Sequence, residues 1–343
     1  MATASGGSLS RYIVQRVLLF IPMVFIIATF IFLMLRVAPG DPVSATVGGR
    51  LSEDALDERR EALGLNRPML VQYWEFLKNI GTLNFGQTIT DNRQVIDIVQ
   101  DSGGATLTLA LAGFLVALAI GLPLGMLAGR LRDTAPDVFI RILGIITYAA
   151  PVFYWGLLFQ LLFAGALGWF PSSGMASPVT TFEVPTVTHI LLLDAIIAGN
   201  GEAVMDVLRH LALPAFTLGL LLSGIFIRLV RVNMLQSMKG DYIEAARARG
   251  ISELRVMRTH AFRNALVPVV TIIGLQVALL LSGAILTEKT FNWPGLGNEL
   301  VNYIQLRDYA AVQGIITIFA VVVVVVSLLI DIINALTDPR VRY

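Results

Sequence analysis

KGDYIEAARARGISELRVMRTHAFRNALVP, residues Lys239 to Pro268, is a polar and basic island between two long apolar runs. From Arg228 to Arg263 the chain carries eight basic side chains (Arg228, Arg231, Lys239, Arg247, Arg249, Arg255, Arg258, Arg263) against three acids (Asp241, Glu244, Glu253). Such an excess marks the cytoplasmic side of a membrane protein. Asp241 is expected to cap a helix starting near Tyr242, and Gly250 to stop it, because glycine adopts the left-handed conformation that ends helices. A second helix, about Ser252 to Asn264, should follow under a serine cap. Two short helices joined at a glycine make a knuckle. Its small residues Ala245, Ala246 and Ala248 keep the first helix thin enough to lie in a groove, and Glu244 places one charge there.

Outward from the island, composition speaks for a membrane. The chain of 343 residues is 56% hydrophobic and 14% charged, with mean hydropathy +0.75, where soluble domains carry roughly 25% charge. Apolar runs predict spans over about Val17–Leu35, Ala105–Gly129, Val138–Leu162, Leu211–Met234, Ala265–Thr287 and Tyr309–Leu336. The first run ends in Arg36-Val37-Ala38-Pro39-Gly40 rather than a small-residue cleavage site, so it is expected to stay as a span. Arg11 and Arg16 before it place the N-terminus in the cytoplasm. Gly121, Gly125 and Gly129 share one helix face, on which another helix can approach closely.

Between the first two spans, Ala38 to Gly104 is hydrophilic, with ten acids against six bases, and is expected outside. Pro39-Gly40-Asp41-Pro42 predicts a rigid turn. Ser52 to Leu63 predicts a helix capped by Ser52 and stopped by Gly64, and Pro68 opens a second whose Leu70, Val71, Trp74 and Leu77 share a face. That face, with Tyr73 and Trp74, suits lipid headgroups or a cover over the outer mouth of a pathway, packing against its own subunit being favoured. Ala164 to Asp206 has no Lys or Arg, as expected of an outer loop; within it Ile190–Ala198 is apolar but too short to cross and is assigned as a re-entrant or packed external helix. Glu288 to Gly297 predicts an outer turn before the last span.

Several chemistries are excluded. There is no cysteine, so no disulfide or thiolate site. The sequence has no Gly-x-x-x-x-Gly-Lys-Ser/Thr phosphate loop, no His-Glu-x-x-His and no Gly-x-Ser-x-Gly, and its histidines His189, His210 and His260 are dispersed. No catalytic set, metal cluster or nucleic-acid patch emerges. An ion-driven carrier needs ionisable groups near mid-bilayer, whereas the predicted spans leave Gln160 and Gln276 as deep polar groups. A membrane scaffold is compatible with composition but does not require the knuckle.

Glu244-Ala245-Ala246, three residues and then Gly250 resembles the "EAA" loop of the membrane permeases of bacterial ATP-binding-cassette importers. The usual Ile-x-Leu-Pro close to the glycine is missing; the proline comes at Pro268, after His260-Ala261-Phe262-Arg263-Asn264-Ala265, which is similar to the dipeptide, oligopeptide and nickel branch. Pro39-Gly40-Asp41-Pro42 resembles a signature of that branch's B-type subunit, and Glu288 to Gly297 resembles an outer turn of the same branch. The resemblance implies an all-α polytopic membrane protein of the type I importer permease kind, with six transmembrane helices, a cytoplasmic coupling helix and a partly helical extracytoplasmic insertion. Its divisions would be 1–37 (N-terminus and first span), 38–104 (insertion), 105–336 (permease core, with the coupling loop at 235–264) and 337–343 (cytoplasmic tail). Asp241, Tyr242, Glu244, Ala245, Ala246, Arg247 and Gly250 would couple to the ATPase, supported by His260, Arg263, Asn264 and Pro268. Tyr154, Gln160, Ser223 and Gln276 are the candidates for the substrate pathway. Implied partners are a second homologous permease, two ATPases that bind ATP and magnesium, an extracytoplasmic binding protein and lipid in a bacterial inner membrane. The chain itself has no cofactor and is no enzyme. Di- or oligopeptides are the expected cargo, with nickel chelates or glutathione as alternatives.

Overall fold

The computed structural model describes residues 9–37, 52–62 and 64–337. The expected turn Pro39–Pro42 and the tail beyond residue 337 lie outside the described residues. In chain order the helices are α1 (Leu9–Val37), α2 (Glu53–Ala62), α3 (Met69–Gly81), α4 (Val95–Arg130), α5 (Ala135–Ala149), α6 (Val152–Phe159) and α7 (Pro178–Glu183). They continue with α8 (Leu191–Ile197), α9 (Gly201–Ser237), α10 (Asp241–Ala248), α11 (Glu253–Arg255), α12 (Phe262–Phe291), α13 (Leu296–Gln305) and α14 (Tyr309–Thr337). π-helical turns extend α6 over Gln160–Ala166 and join α11 to α12 over Val256–Ala261. Among the described residues there is no strand, only an isolated bridge between Gln87 and Gln94.

Among the described residues four helices are long and apolar enough to cross a membrane (Ile13–Val37, Val95–Arg130, Gly201–Ser237, Tyr309–Ile333), and a fifth crossing counts if the bent pair Ala135–Ala149 and Val152–Ala166 is one span. That bend corrects the straight span expected over Val138–Leu162. It measures 102°, and its cause is Pro151, which lacks an N–H and drives Ala150 into extended geometry (φ −82, ψ 141). α4 and α9 each begin about ten residues before the apolar runs. Their polar first turns carry Asp97 and Glu202, and Asn200 caps α9 by accepting the Ala203 amide at 3.0 Å.

One compact unit comprises Met1–Gly103 with Gly295–Tyr343. Here α1 and α14 pack together, and Arg16 meets Asp331 at 3.1 Å. The Ser52 hydroxyl accepts the Ala55 amide at 3.4 Å and Gly64 has φ +69, as the sequence requires for α2. α3 divides its aromatic residues: Tyr73 and Phe76 pack on Phe32 of α1 (ring centroids 5.2 and 5.7 Å), whereas Leu70 and Trp74 remain exposed. The expected turn lies between Phe291 and Leu296, and α13, which was not expected, follows it because Glu299, Leu300 and Tyr303 have helical spacing. Fully buried Asp308 caps α14 through the Ala311 amide (3.0 Å) and accepts the Ile89 and Thr90 amides (2.6 and 2.8 Å).

The other unit is Gly104–Pro294. Its centre is α9, buried along both flanks. A Cβ placed on Gly113, Gly121, Gly125 or Gly129 would lie 2.5 to 2.9 Å from side-chain atoms of Leu218, Phe226, Val230 or Met234 respectively. These partners advance together along both helices, so α4 and α9 run parallel in close contact, as the glycine stripe predicted. α5 crosses α9 antiparallel, Gly144 against Gly224, where a Cβ on Gly224 would lie 2.4 Å from the Gly144 carbonyl oxygen. At the far end Trp293 is fully buried and its Nε1 donates to the Ala105 carbonyl at 2.9 Å.

Candidate functional site

The knuckle forms, with two corrections to its local detail. Asp241 does not cap α10; it occupies the first helical turn after Gly240, which makes no side-chain cap bond. A carboxylate there still faces the positive end of the helix. Nor does a separate helix run from Ser252 to Asn264. α11, the π-helical turn and α12 form one helical run, because nothing between Glu253 and Phe291 breaks it, although Pro268 inside α12 deprives the Asn264 carbonyl of its usual donor.

Gly250 acts as expected. Its φ is +72, and a Cβ there would meet nothing within 4 Å, so glycine is required for conformation rather than space. The Ile251 amide reaches the Ala246 carbonyl (3.3 Å) and the Gly250 amide the Arg247 carbonyl (2.9 Å). This pair of bonds is the Schellman closure of a helix. Across the turn the Arg247 guanidinium forks onto Glu253 at 2.6 and 3.3 Å. That bond holds Glu253 below the usual carboxylate range and raises Arg247.

α10 has an anchored side and an offered side. Ile243 and Ala246, one turn apart, are buried among Met234, Val256, Met257 and Ala261. The Tyr242 hydroxyl folds back to the Ser237 carbonyl at 3.0 Å, over a glycine at position 240 whose Cβ would strike the ring at 2.4 Å. Asp241, Glu244, Ala245, Arg247 and Ala248 are exposed. The result is a short ridge with acid at its start and base at its end, fixed to the end of α9. Behind it, His260 is half-buried in the π-helical turn, Arg263 and Asn264 are exposed, and Pro268 is half-buried in α12.

A sequence model of the family described as "Binding-protein-dependent transport system inner membrane component" matches residues 121–343. The chain belongs to that family. A model of the same system's N-terminal membrane component matches residues 9–110. The chain is 37% identical over 97% of its length to the di/tripeptide transport system permease protein DppB of Pseudomonas aeruginosa strain UCBPP-PA14, covering 98% of that protein. It is 35% identical to the dipeptide transport system permease protein DppB of Escherichia coli K12 and 32% identical to that of Alkalihalophilus pseudofirmus OF4, in both cases over 97% of this chain and 99% of the relative.

In this family member each candidate pathway residue has its own surroundings. Gln160 is engaged, its Nε2 donating to the carbonyls of Ser172 (2.7 Å) and Thr290 (3.1 Å). Ser223 is fully buried and donates to the Leu220 carbonyl at 2.7 Å. Tyr154 is half exposed beside Trp155, and Gln276 is buried with its Oε1 accepting no hydrogen bond among the described residues. In α8 Asp194 accepts the amide and hydroxyl of Thr188 at 2.8 and 2.7 Å. Burial opposes its ionisation, yet the Thr188 and Val187 bonds and His189 prevail and hold it below the usual range.

The pair that sequence reasoning missed is Asp137 with Arg231. Arg231 Nε meets Asp137 Oδ1 at 2.6 Å and Nη2 meets Oδ2 at 2.8 Å, while the Asp133 amide donates at 3.0 Å and Arg141 stands 3.8 Å away. Asp137 is fully buried. The signal was present, since one carboxylate opens an apolar helix and one guanidinium interrupts another, but Arg231 was counted only as a topology marker.

Proposed function

We propose that this chain is one of two homologous permeases of an ATP-driven importer that receives di- or oligopeptides from an extracytoplasmic binding protein. The supporting observation for the ATP-driven part is the knuckle: an exposed Glu244–Ala245 ridge, held rigidly to α9 by Ile243, Ala246 and the Gly250 turn. Peptide as cargo rests on the relatives, whose names specify dipeptides and tripeptides. Two partner ATPases would bind ATP and magnesium and grip the ridge at Asp241, Tyr242, Glu244, Ala245 and Arg247. His260, Arg263, Asn264 and Pro268 would brace it from behind.

The reading takes six spans: four long apolar helices, the bent pair α5–α6, and α12, whose 30 residues reach about 45 Å. Both termini would be cytoplasmic in a bacterial inner membrane, with residues 38–104 outside. Tyr154, Gln160, Ser223 and Gln276 remain the candidates for the pathway.

The test is purification of the tagged chain from its host in mild detergent, with hydrolysis and dialanine uptake measured after reconstitution. Recovery of two ATPases and a second permease, with hydrolysis rising on addition of loaded binding protein, is expected. Glu244→Lys should abolish uptake while the chain still inserts. Recovery of the chain alone would overturn the importer reading, and full uptake by Glu244→Lys would overturn the coupling role.

A further inference from the structure

We propose that the Asp137–Arg231 pair is a positioning latch through which movement of the knuckle is handed to the bent helix pair α5–α6. The inference rests on the coupling role proposed for α10. Ile243 and Ala246 fix the knuckle to the last turns of α9, where Met234 lies in the same buried cluster. Arg231 is one turn from Met234 on that helix. A pull on the knuckle therefore reaches Arg231 through rigid helix.

α5 touches α9 in two different ways. At Gly144 and Gly224 the backbones meet, flanked by the Thr147 hydroxyl and an Ile227 methyl group. Such a contact permits close approach and makes this the point where the two helices cross. Asp137 lies about two turns before Gly144, and Arg231 about two turns after Gly224, so the ion pair sits about 10 Å from the crossing on the cytoplasmic side. A two-bond fork fixes orientation as well as distance, which a point charge does not. With the crossing as pivot, the latch forces α5 to turn with α9.

The far end of the lever is also connected. Beyond the bend at Pro151, a Cβ on Gly156 would lie 3.0 Å from Thr290 and 3.2 Å from Phe291, and Gln160 binds the Thr290 carbonyl. The route is thus knuckle, α9, latch, α5, bend, α6 and the outer end of α12. A chain of contacts alone is not evidence of coupling, so the measurement has to read coupling itself.

The assembled complex, reconstituted in liposomes with its binding protein, provides the ratio of dialanine taken up to ATP hydrolysed. Asp137→Asn is expected to leave the complex assembled and to lower that ratio at least about fivefold, the lower edge of ordinary coupling between sites. Exchanging the charges, Asp137→Arg with Arg231→Asp, should recover most of the loss. An unchanged ratio in Asp137→Asn overturns the latch, and so does a loss that the exchange fails to recover, which would mark general packing damage. Should Asp137→Asn fail to assemble, Arg231→Lys decides: it keeps the charge and removes the fork, so a lowered ratio supports the latch and a normal one overturns it. Glu244→Lys in the same liposomes separates the two ideas. Normal uptake there alongside a lowered ratio in Asp137→Asn would remove the knuckle as entry point and leave the α5–α9 latch standing.

Discussion

α9 holds its two neighbours by opposite means. Against α4 it presses Leu218, Phe226, Val230 and Met234 onto a stripe of glycines, so the contact is continuous and runs in parallel register. Against α5 it has a backbone crossing, a small cluster of Ile140 with Ile227 and Ala128, and one buried ion pair. The first contact has no freedom, because every turn is filled. The second is shorter, the 15 residues of α5 crossing α9 at Gly144. The glycine seam joins two helices side by side, whereas a crossing with one directional ion pair couples their turning.

Adding bulk to the seam should have the largest effect. Gly125→Leu puts a Cβ 2.7 Å from Val230 Cβ and 2.9 Å from the Ile227 carbonyl oxygen, which is backbone and cannot step aside. Overpacking costs about 1–3 kcal/mol in ordinary cores, and a leucine here belongs at or above the top of that range. Loss of a monodisperse complex in size-exclusion chromatography is expected; an unshifted elution profile and thermal midpoint would mean the parallel seam is wrong. Gly224→Ala comes next. Its methyl meets the Gly144 oxygen, also backbone, at 2.4 Å and Thr147 Oγ1 at 3.0 Å, so the short α5 itself has to shift, and alanine adds less bulk than leucine. A destabilisation of about 1 kcal/mol is expected, with uptake falling more than thermal stability. Equal damage from Gly224→Ala and Gly125→Leu would erase the distinction between seam and crossing.

What the sequence disclosed follows the range of the interactions concerned. The α2 cap at Ser52, the stops at Gly64 and Gly250, and the small apolar helix near Ile190 are local, and each was legible. The glycine stripe was legible as a face, although its partner was not, since nothing local selects α9. The 102° bend was missed although Pro151 was in plain view, because the apolar run continues across it and hydropathy ignores backbone geometry. α13 was hidden by its own start, where Trp293-Pro294-Gly295 speaks for a turn and drew attention from the amphipathic spacing that follows. Asp137 and Arg231 are 94 residues apart, and no pattern in one sequence pairs them. The same holds for Asp308 and the Ile89–Thr90 amides. The knuckle surface was legible because it is a local object; its anchoring by Ile243 and Ala246 required the fold.

The smallest effect should come from a second Arg–carboxylate fork. Arg247–Glu253 has nearly the geometry of Arg231–Asp137, yet its side chains are 43% and 65% exposed against 14% and 0%. Water already solvates both exposed charges and salt screens them, so such pairs contribute little. The sign of the pH effect is nevertheless fixed. The Arg247 bond depresses the Glu253 pKa, so the folded state gains above the unfolded value, about 4.3, and loses that gain as pH falls through the lower folded value. Glu253→Gln should therefore leave the thermal midpoint at pH 7 unchanged within error and slightly reduce the difference between pH 7 and pH 3. A large drop at pH 7 would mean that the knuckle, like the crossing, is held by its ion pair. The Schellman closure at Gly250 and the buried Ile243 and Ala246 argue otherwise, since they hold α10 without any charge at all.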